Sequence, residues 1–235
     1  MHQVFTSWSG GKDSCFACYQ AAEGGLKVRY LLNMLTEDGK RSWIHGLSTE
    51  LLEVQSQAIG IPLVQRRSAM ATYEADFKNA VLALKREGVG GGVFGDIDLE
   101  EHRQWVERIC QQADITPHLP LWGLSQEEIL RDFIGLGFEA IIVVVKADLF
   151  DEEWLGRKVD SDFLGYLSEL RETEDITLCG ESGEYHTFVT DGPPFKQRIE
   201  ILETNKILRE GYWFLEILKS ELRSKGELKR GEAHT

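Results

Sequence analysis

The sequence predicts an α/β protein: an open parallel sheet flanked by helices, followed by a smaller α+β domain. Two observations predict the sheet. The first two-thirds of the chain alternates short apolar runs with longer amphipathic ones, the pattern of repeated β-α units. The run Ala140-Ile141-Ile142-Val143-Val144-Val145-Lys146 has the unbroken β-branched content of a strand buried on both faces, which reads as a central strand of that sheet. A third observation predicts the smaller domain, because after Lys146 the rhythm changes to a charged helical region, a Gly-rich loop and two further strands.

In chain order, strands are expected at 3–8, 28–34, 61–65, 92–96 and 140–146. Helices are expected at 13–23, 49–58, 73–86, 99–112 and 126–136, where apolar residues recur three to four apart. In the second helix Leu51, Leu52, Val54 and Ala58 form the inner face; in the fourth, Trp105, Val106, Ile109 and Ala113 do so. Gly60 ahead of Ile61-Pro62 is a helix stop, and Ser125 with Glu128 three residues on has capping-box spacing. Beyond Lys146 come a helix at 163–172 and strands at 197–203 and 212–218. The chain thus divides into an α/β domain over 1–146, a smaller α+β domain over 147–223 and a polar tail over 224–235.

A chain of 235 residues, 42% hydrophobic and 28% charged, is long enough to bury a real core. Its net charge of -13 speaks against broad adhesion to nucleic acid or anionic membranes. No run approaches the roughly eighteen apolar residues of a membrane span, and the first residues lack a signal-peptide pattern, so a cytoplasmic location and no membrane partner are expected. Cys15, Cys18, Cys110 and Cys179 are too scattered for a disulfide framework. Cys15-Phe16-Ala17-Cys18 has C-x-x-C spacing but lies inside the first helix without a second ligand pair, and is read as core packing. The glycines of 90–95 match G-x-G-x-x-G formally, yet they lead into a strand instead of out of one, which excludes a dinucleotide fingerprint.

The segment Ser9-Gly10-Gly11-Lys12-Asp13-Ser14 follows the first strand and opens the first helix, where α/β folds bind anions. Two glycines allow a tight turn with amides facing phosphates; Lys12 adds a charge, and Ser9 and Ser14 add hydroxyl donors. Asp13 is either an N-terminal helix charge or a ligand to magnesium beside the phosphates. The loop is not a Walker A motif, because Thr6 stands where that pattern needs glycine and Asp13 where it needs Ser or Thr.

The string resembles the Ser-Gly-Gly-x-Asp-Ser loop of the PP-loop ATP pyrophosphatases, and within them is most similar to the diphthine-ammonia ligase family. The resemblance runs from Val4 to about Phe195. It is carried further by Phe94-Gly95-Asp96-Ile97 with His102 and Trp105, by Pro120-Leu121-Trp122, and by Cys179-Gly180-Glu181-Ser182-Gly183-Glu184-Tyr185-His186-Thr187-Phe188. It implies a sheet of the adenine nucleotide α-hydrolase type, and cleavage of ATP to AMP and pyrophosphate. It also implies a carboxylate of diphthine on elongation factor 2 as acceptor, free ammonium as nitrogen source, and Mg²⁺ with the nucleotide.

On this reading Ser9, Gly10, Gly11, Lys12, Asp13, Ser14, Gly95 and Asp96 bind ATP, with Asp13 and Asp96 as candidate Mg²⁺ ligands. Glu181, Glu184, Tyr185, His186 and Thr187 bind substrate, and Lys12, Asp13, Glu184 and His186 are the catalytic candidates. By position alone Asp96 could equally cap the helix near Leu99, and 181–187 could be an exposed polar hairpin; the resemblance favours a site role for both. His45-Gly46 ranks below these, since a histidine beside a glycine is commonly a turn residue. Another carboxylate or tRNA as acceptor, a non-catalytic ATP or AMP sensor, and an interaction protein are the competing functions, and a homodimer stays open.

Overall fold

The structure, a computed structural model, describes residues 3–43 and 45–225. Five parallel strands, β1 (Gln3–Ser7), β2 (Lys27–Leu35), β3 (Leu63–Arg67), β4 (Gly91–Val93) and β5 (Thr116–His118), lie in the order β3-β2-β1-β4-β5. The chain leaves β1 toward β2 and later returns to pair β4 on the other side. The order therefore reverses at β1, and the strand ends there form a crevice suited to ligands.

Successive residues of β1 point to opposite faces and build two cores. Val4 joins Leu31 and Val93 in a cluster with α1 (Lys12–Glu23), α2 (Thr49–Ile59) and much of the C-terminal half. Phe5 joins Leu32 and Met34 against α3 (Tyr73–Arg86) and α4 (Glu100–Ala113), meeting Phe77 and Phe94 edge to face at 6.3 and 5.9 Å between ring centroids. Cys15 and Cys18 are buried free thiols in the first of these cores, as the packing reading of C-x-x-C requires.

The second sheet is antiparallel, in the order β7-β6-β9-β8: β6 (Glu139–Lys146), β7 (Tyr185–Asp191), β8 (Gln197–Arg209) and β9 (Tyr212–Ser224), with α5 (Gln126–Gly135) and α6 (Ser161–Leu170) alongside. Here the structure corrects the sequence reading. The apolar strand 140–146 is central and buried, but in this sheet, between β7 and β9, so the division between sheets falls before Glu139 and not after Lys146. A run buried on both faces reports burial, which a covered antiparallel sheet supplies as well as a parallel one.

Two strands were not foreseen. β5 spans only Thr116–His118 and contains a proline, and β7 begins inside the polar string expected to be a loop. Ser125 does occupy the N-cap of α5, but its side chain makes no capping bond, so the expected capping box is not formed. Gly60 ends α2 in the left-handed region at φ 79°, as expected. Of the expected polar tail, Ser224 pairs with Gln197 at the end of β9, and residues 226–235 lie outside the described residues. Among the described residues no helix is long and apolar enough to cross a membrane.

Candidate active site

The loop between β1 and α1 is pinned from three sides. Gly10 turns at φ 84°, and a Cβ there would stand 2.7 Å from Leu52 of α2. The Gly10 carbonyl accepts from the Val189 amide of β7 at 3.0 Å and from Nε2 of Gln55 at 3.0 Å. Gln55, fully buried on α2, also donates to the Val189 carbonyl at 2.8 Å and accepts from the Trp8 indole at 2.8 Å. The Lys12 amide donates to Oγ1 of Thr187 at 3.0 Å. Thus β7 of the second sheet, paired with β6 on its other side, lies directly on this loop.

Within the loop the hydroxyls of Ser9 and Ser14 bond each other at 3.0 Å and receive the amides of Gly11 and Ser9. The expectation that successive amides all face a ligand is corrected here: the amides of Ser9, Gly11 and Lys12 have partners inside the protein. Gly95, just beyond β4, packs so closely on the start of α1 that a Cβ would sit 2.9 Å from the Asp13 carbonyl carbon and the Ser14 nitrogen.

Around this loop is a cavity of about 240 Å³. Ser9, Lys12, Asp13, Ser14, Gly95, Asp96, Glu181, Tyr185, His186 and Thr187, all expected from sequence, line it; so does His45, which was ranked lowest. Lys12 is 3% exposed, its ammonium bonded to Asp13 at 2.8 Å and to the Cys179 carbonyl, and 5.1 Å from the Tyr185 ring centroid. Burial is the largest single influence and disfavours its charge, but Asp13, Tyr185 and Cys179 together outweigh it and hold the pKa well above the ordinary value, so Lys12 is a cation. Burial raises the Asp13 pKa, with Lys12 opposing, and Oδ1 of Asp13 is a buried oxygen without a partner among the described residues.

Asp96 does not cap α4, whose N-cap is Leu99; its carboxylate faces Nδ1 of His102 at 3.4 Å on the cavity rim. His45 and His186 meet edge to face at 4.6 Å between ring centroids, and Nδ1 of His45 bonds the Ser9 carbonyl at 3.1 Å. That carbonyl only accepts, so Nδ1 carries the proton and Nε2 is left as the basic nitrogen. Burial first, then the charge of Lys12, lowers the His45 pKa to about 4; burial, then His45, holds His186 well below its ordinary value, so both rings are neutral at neutral pH.

Glu184 is the one expected catalytic residue that the geometry removes from the cavity. Its carboxylate is buried and accepts from the Thr177 amide and, at 2.9 Å, from the Ser182 amide, bracing the 177–184 turn from within. Of the two glutamates in this segment, Glu181 is the one that lines the cavity. Burial, reinforced by Asp13, raises its pKa to about 7. A carboxyl with a raised folded pKa loses stabilising power as pH climbs from its unfolded value toward 7, because the unfolded chain ionises first. Glu181→Gln is therefore expected to gain on the order of 1–2 kcal/mol over the native chain between about pH 5 and about pH 8. Urea unfolding at the two pH values measures it; parallel curves would show that Glu181 ionises normally.

Several lining residues escaped the sequence reading: Asn33 on β2, Trp43, Tyr73 at the start of α3, and the carbonyl of Cys179. A polar Asn33 amid Leu31, Leu32, Met34 and Leu35 was a usable signal for the first.

Two family models match the chain, the diphthamide synthase N-terminal domain over residues 2–117 and the diphthamide synthase C-terminal domain over residues 125–222. The chain belongs to the diphthamide synthase family. The two models meet where the parallel sheet ends and the antiparallel one has yet to begin. Diphthine–ammonia ligase of Homo sapiens is 29% identical over 222 residues, covering 85% of this chain and 82% of that protein. The protein of the same name from Danio rerio is 29% identical over 227 residues, covering 85% and 86%. A solved structure described as a predicted subunit of tRNA methyltransferase from Methanocaldococcus jannaschii overlaps 82% of this chain and 98% of its own at TM-score 0.46 and 13% identity.

Proposed function

We propose that this member of the diphthamide synthase family is an ATP-dependent amide ligase that converts diphthine on elongation factor 2 to diphthamide in the cytoplasm. A carboxylate oxygen of diphthine attacks the α phosphorus of ATP, the bond to the bridging oxygen breaks, and pyrophosphate leaves. Ammonia then attacks the acyl carbon, AMP departs, and the nitrogen gives up a proton to a base of the cavity.

The observation that carries this reading is the meeting of the Ser9–Ser14 loop with the Gly180–Thr187 segment around one cavity, joined by Lys12. A nucleotide's phosphates and the acceptor's carboxylate need such a shared chamber, and excluding water from it on binding would protect an acyl-adenylate that hydrolyses readily. In it Lys12 is the fixed cation for charge that develops on the phosphates, with Ser9 and Ser14 as hydroxyl donors. Glu181, half ionised near neutrality, attracts ammonium and can take a proton from the nitrogen, and the neutral rings of His186 and His45 can accept hydrogen bonds from it. Glu184 positions this segment without touching the reactants.

Asp13, with its unpartnered buried oxygen, and Asp96 are hard oxygen donors of the kind that hold Mg²⁺ together with phosphates. Magnesium held by them would supply charge neutralisation on the phosphates.

The test is chromatographic product analysis with ATP, Mg²⁺, ammonium and diphthine-bearing elongation factor 2. AMP and pyrophosphate formed only with the factor, and an amidated factor, are expected. AMP formed without dependence on the factor would move the activity to another acceptor, and ADP as the sole product would overturn the chemistry.

A further inference from the structure

We infer that Asn33 reads the 6-amino group of the adenine ring and so makes this site selective for ATP over 6-oxopurine nucleotides; the inference rests on the ATP-binding part of the function proposed above. Among the described residues four buried side-chain polar atoms have no hydrogen-bond partner, and two belong to residues lining the cavity: Oδ1 of Asp13 and Oδ1 of Asn33. The first is a carboxylate oxygen next to Lys12, in the part of the cavity suited to phosphates and their metal. The second has no such account. Asn33 is 4% exposed, and its amide nitrogen donates to the Trp8 carbonyl at 2.7 Å, which fixes the orientation of the amide and turns the oxygen away from that partner.

An amide oxygen only accepts, so its partner must be a donor. The phosphates and the ring nitrogens N1, N3 and N7 of adenine are acceptors, which leaves the 6-amino group and the ribose hydroxyls as the donors that ATP carries. The neighbourhood favours the base. Asn33 lies on β2 between Leu32 and Met34, and Trp8, Trp43 and Tyr73 line the same cavity, giving flat and apolar surface for a purine. His102, a polar group left for ribose once Asp96 serves the metal, follows β4, which lies on the opposite side of β1 from β2. Guanine or hypoxanthine would bring a 6-oxo acceptor against the Asn33 oxygen, and a site built around one hydrogen bond rejects a ligand that cannot complete it.

The experiment is equilibrium binding of ATP, ITP, purine riboside triphosphate and 2′- and 3′-deoxy-ATP to the native chain and to Asn33→Leu, without acceptor or ammonium. The native chain is expected to lose roughly tenfold in affinity for purine riboside triphosphate, which lacks the amino group, and ~100-fold for ITP, with little change for the deoxy nucleotides. Asn33→Leu should bind ATP and ITP within about threefold of each other. Equal native affinity for ATP and ITP, or losses confined to the deoxy nucleotides, overturns the inference, and the native series decides this even if the variant does not fold. A chain that discriminates at position 6 but never amidates diphthine would overturn the ligase reading alone; one that amidates diphthine with ITP as readily as with ATP would overturn only the role of Asn33. Failure to bind any of the nucleotides overturns both.

Discussion

Lys12→Ala is expected to slow AMP and pyrophosphate release by on the order of 10²–10³-fold, the loss typical of removing one preorganised donor from a site of developing charge. The magnitude follows from where the ammonium sits. An exposed lysine can be replaced by solvent ions, but Lys12 is 3% exposed and is held in place by Asp13, the Cys179 carbonyl and the Tyr185 ring, so nothing mobile substitutes for it. Its charge is also kept on at every pH of interest.

The same burial gives the substitution a structural cost, because it strands the Asp13 carboxylate, and breaking a buried pair is more damaging than removing both partners. Burial already raises the Asp13 pKa against the pull of Lys12, so without Lys12 the carboxyl protonates more readily, which limits the damage. Single-turnover rates for Lys12→Ala, for Asp13→Asn and for the double variant, each checked by thermal melting, separate the two effects. A melting temperature restored in the double variant with a rate still two orders below that of Asp13→Asn fits the role given to Lys12. A folded Lys12→Ala protein that turns over within a few-fold of the native chain would remove Lys12 from the chemistry.

The loop around Lys12 was legible because its meaning is local. A strand, two glycines, a lysine and the start of a helix are contiguous in sequence, and the anion site they form depends on backbone turn and helix terminus alone. The five parallel strands were legible for the same reason except β5, where three residues with a proline carry no periodicity. The strand 140–146 was recognised as buried and central yet placed in the wrong sheet, since apolar content records how covered a strand is and not which neighbours cover it. His45 was ranked as a turn residue because its significance lies in a contact with His186, 141 positions away, that no short window contains. Glu184 failed in the opposite direction: its place in a dense polar string suggested chemistry, whereas its two oxygens serve the backbone of their own turn.

Gln55 is the residue whose weight was least visible, and Gln55→Met is expected to lower stability by about 2–5 kcal/mol, more than a typical buried-residue substitution. On α2 it reads as one polar position between helical apolar ones. In the structure it is fully buried, and a single amide satisfies three groups: the Trp8 indole, the Gly10 carbonyl and the Val189 carbonyl. Methionine fills a similar volume, so no large cavity opens, but it neither donates strongly nor accepts well. The Trp8 indole and the Val189 carbonyl would lose this buried partner, while Gly10 keeps its bond from the Val189 amide. Because Gly10 and Val189 belong to the loop and to β7, loosening this joint should also weaken ATP binding, although Gln55 does not line the cavity. Gln55→Glu keeps the acceptor for Trp8 and loses the donors, placing an unpaired carboxylate against two carbonyls, and should be worse than methionine at neutral pH. Urea unfolding with and without ATP measures both consequences. A Gln55→Met protein as stable as the native chain would mean that water replaces the amide at this joint, and unchanged ATP affinity despite lost stability would uncouple the joint from the loop.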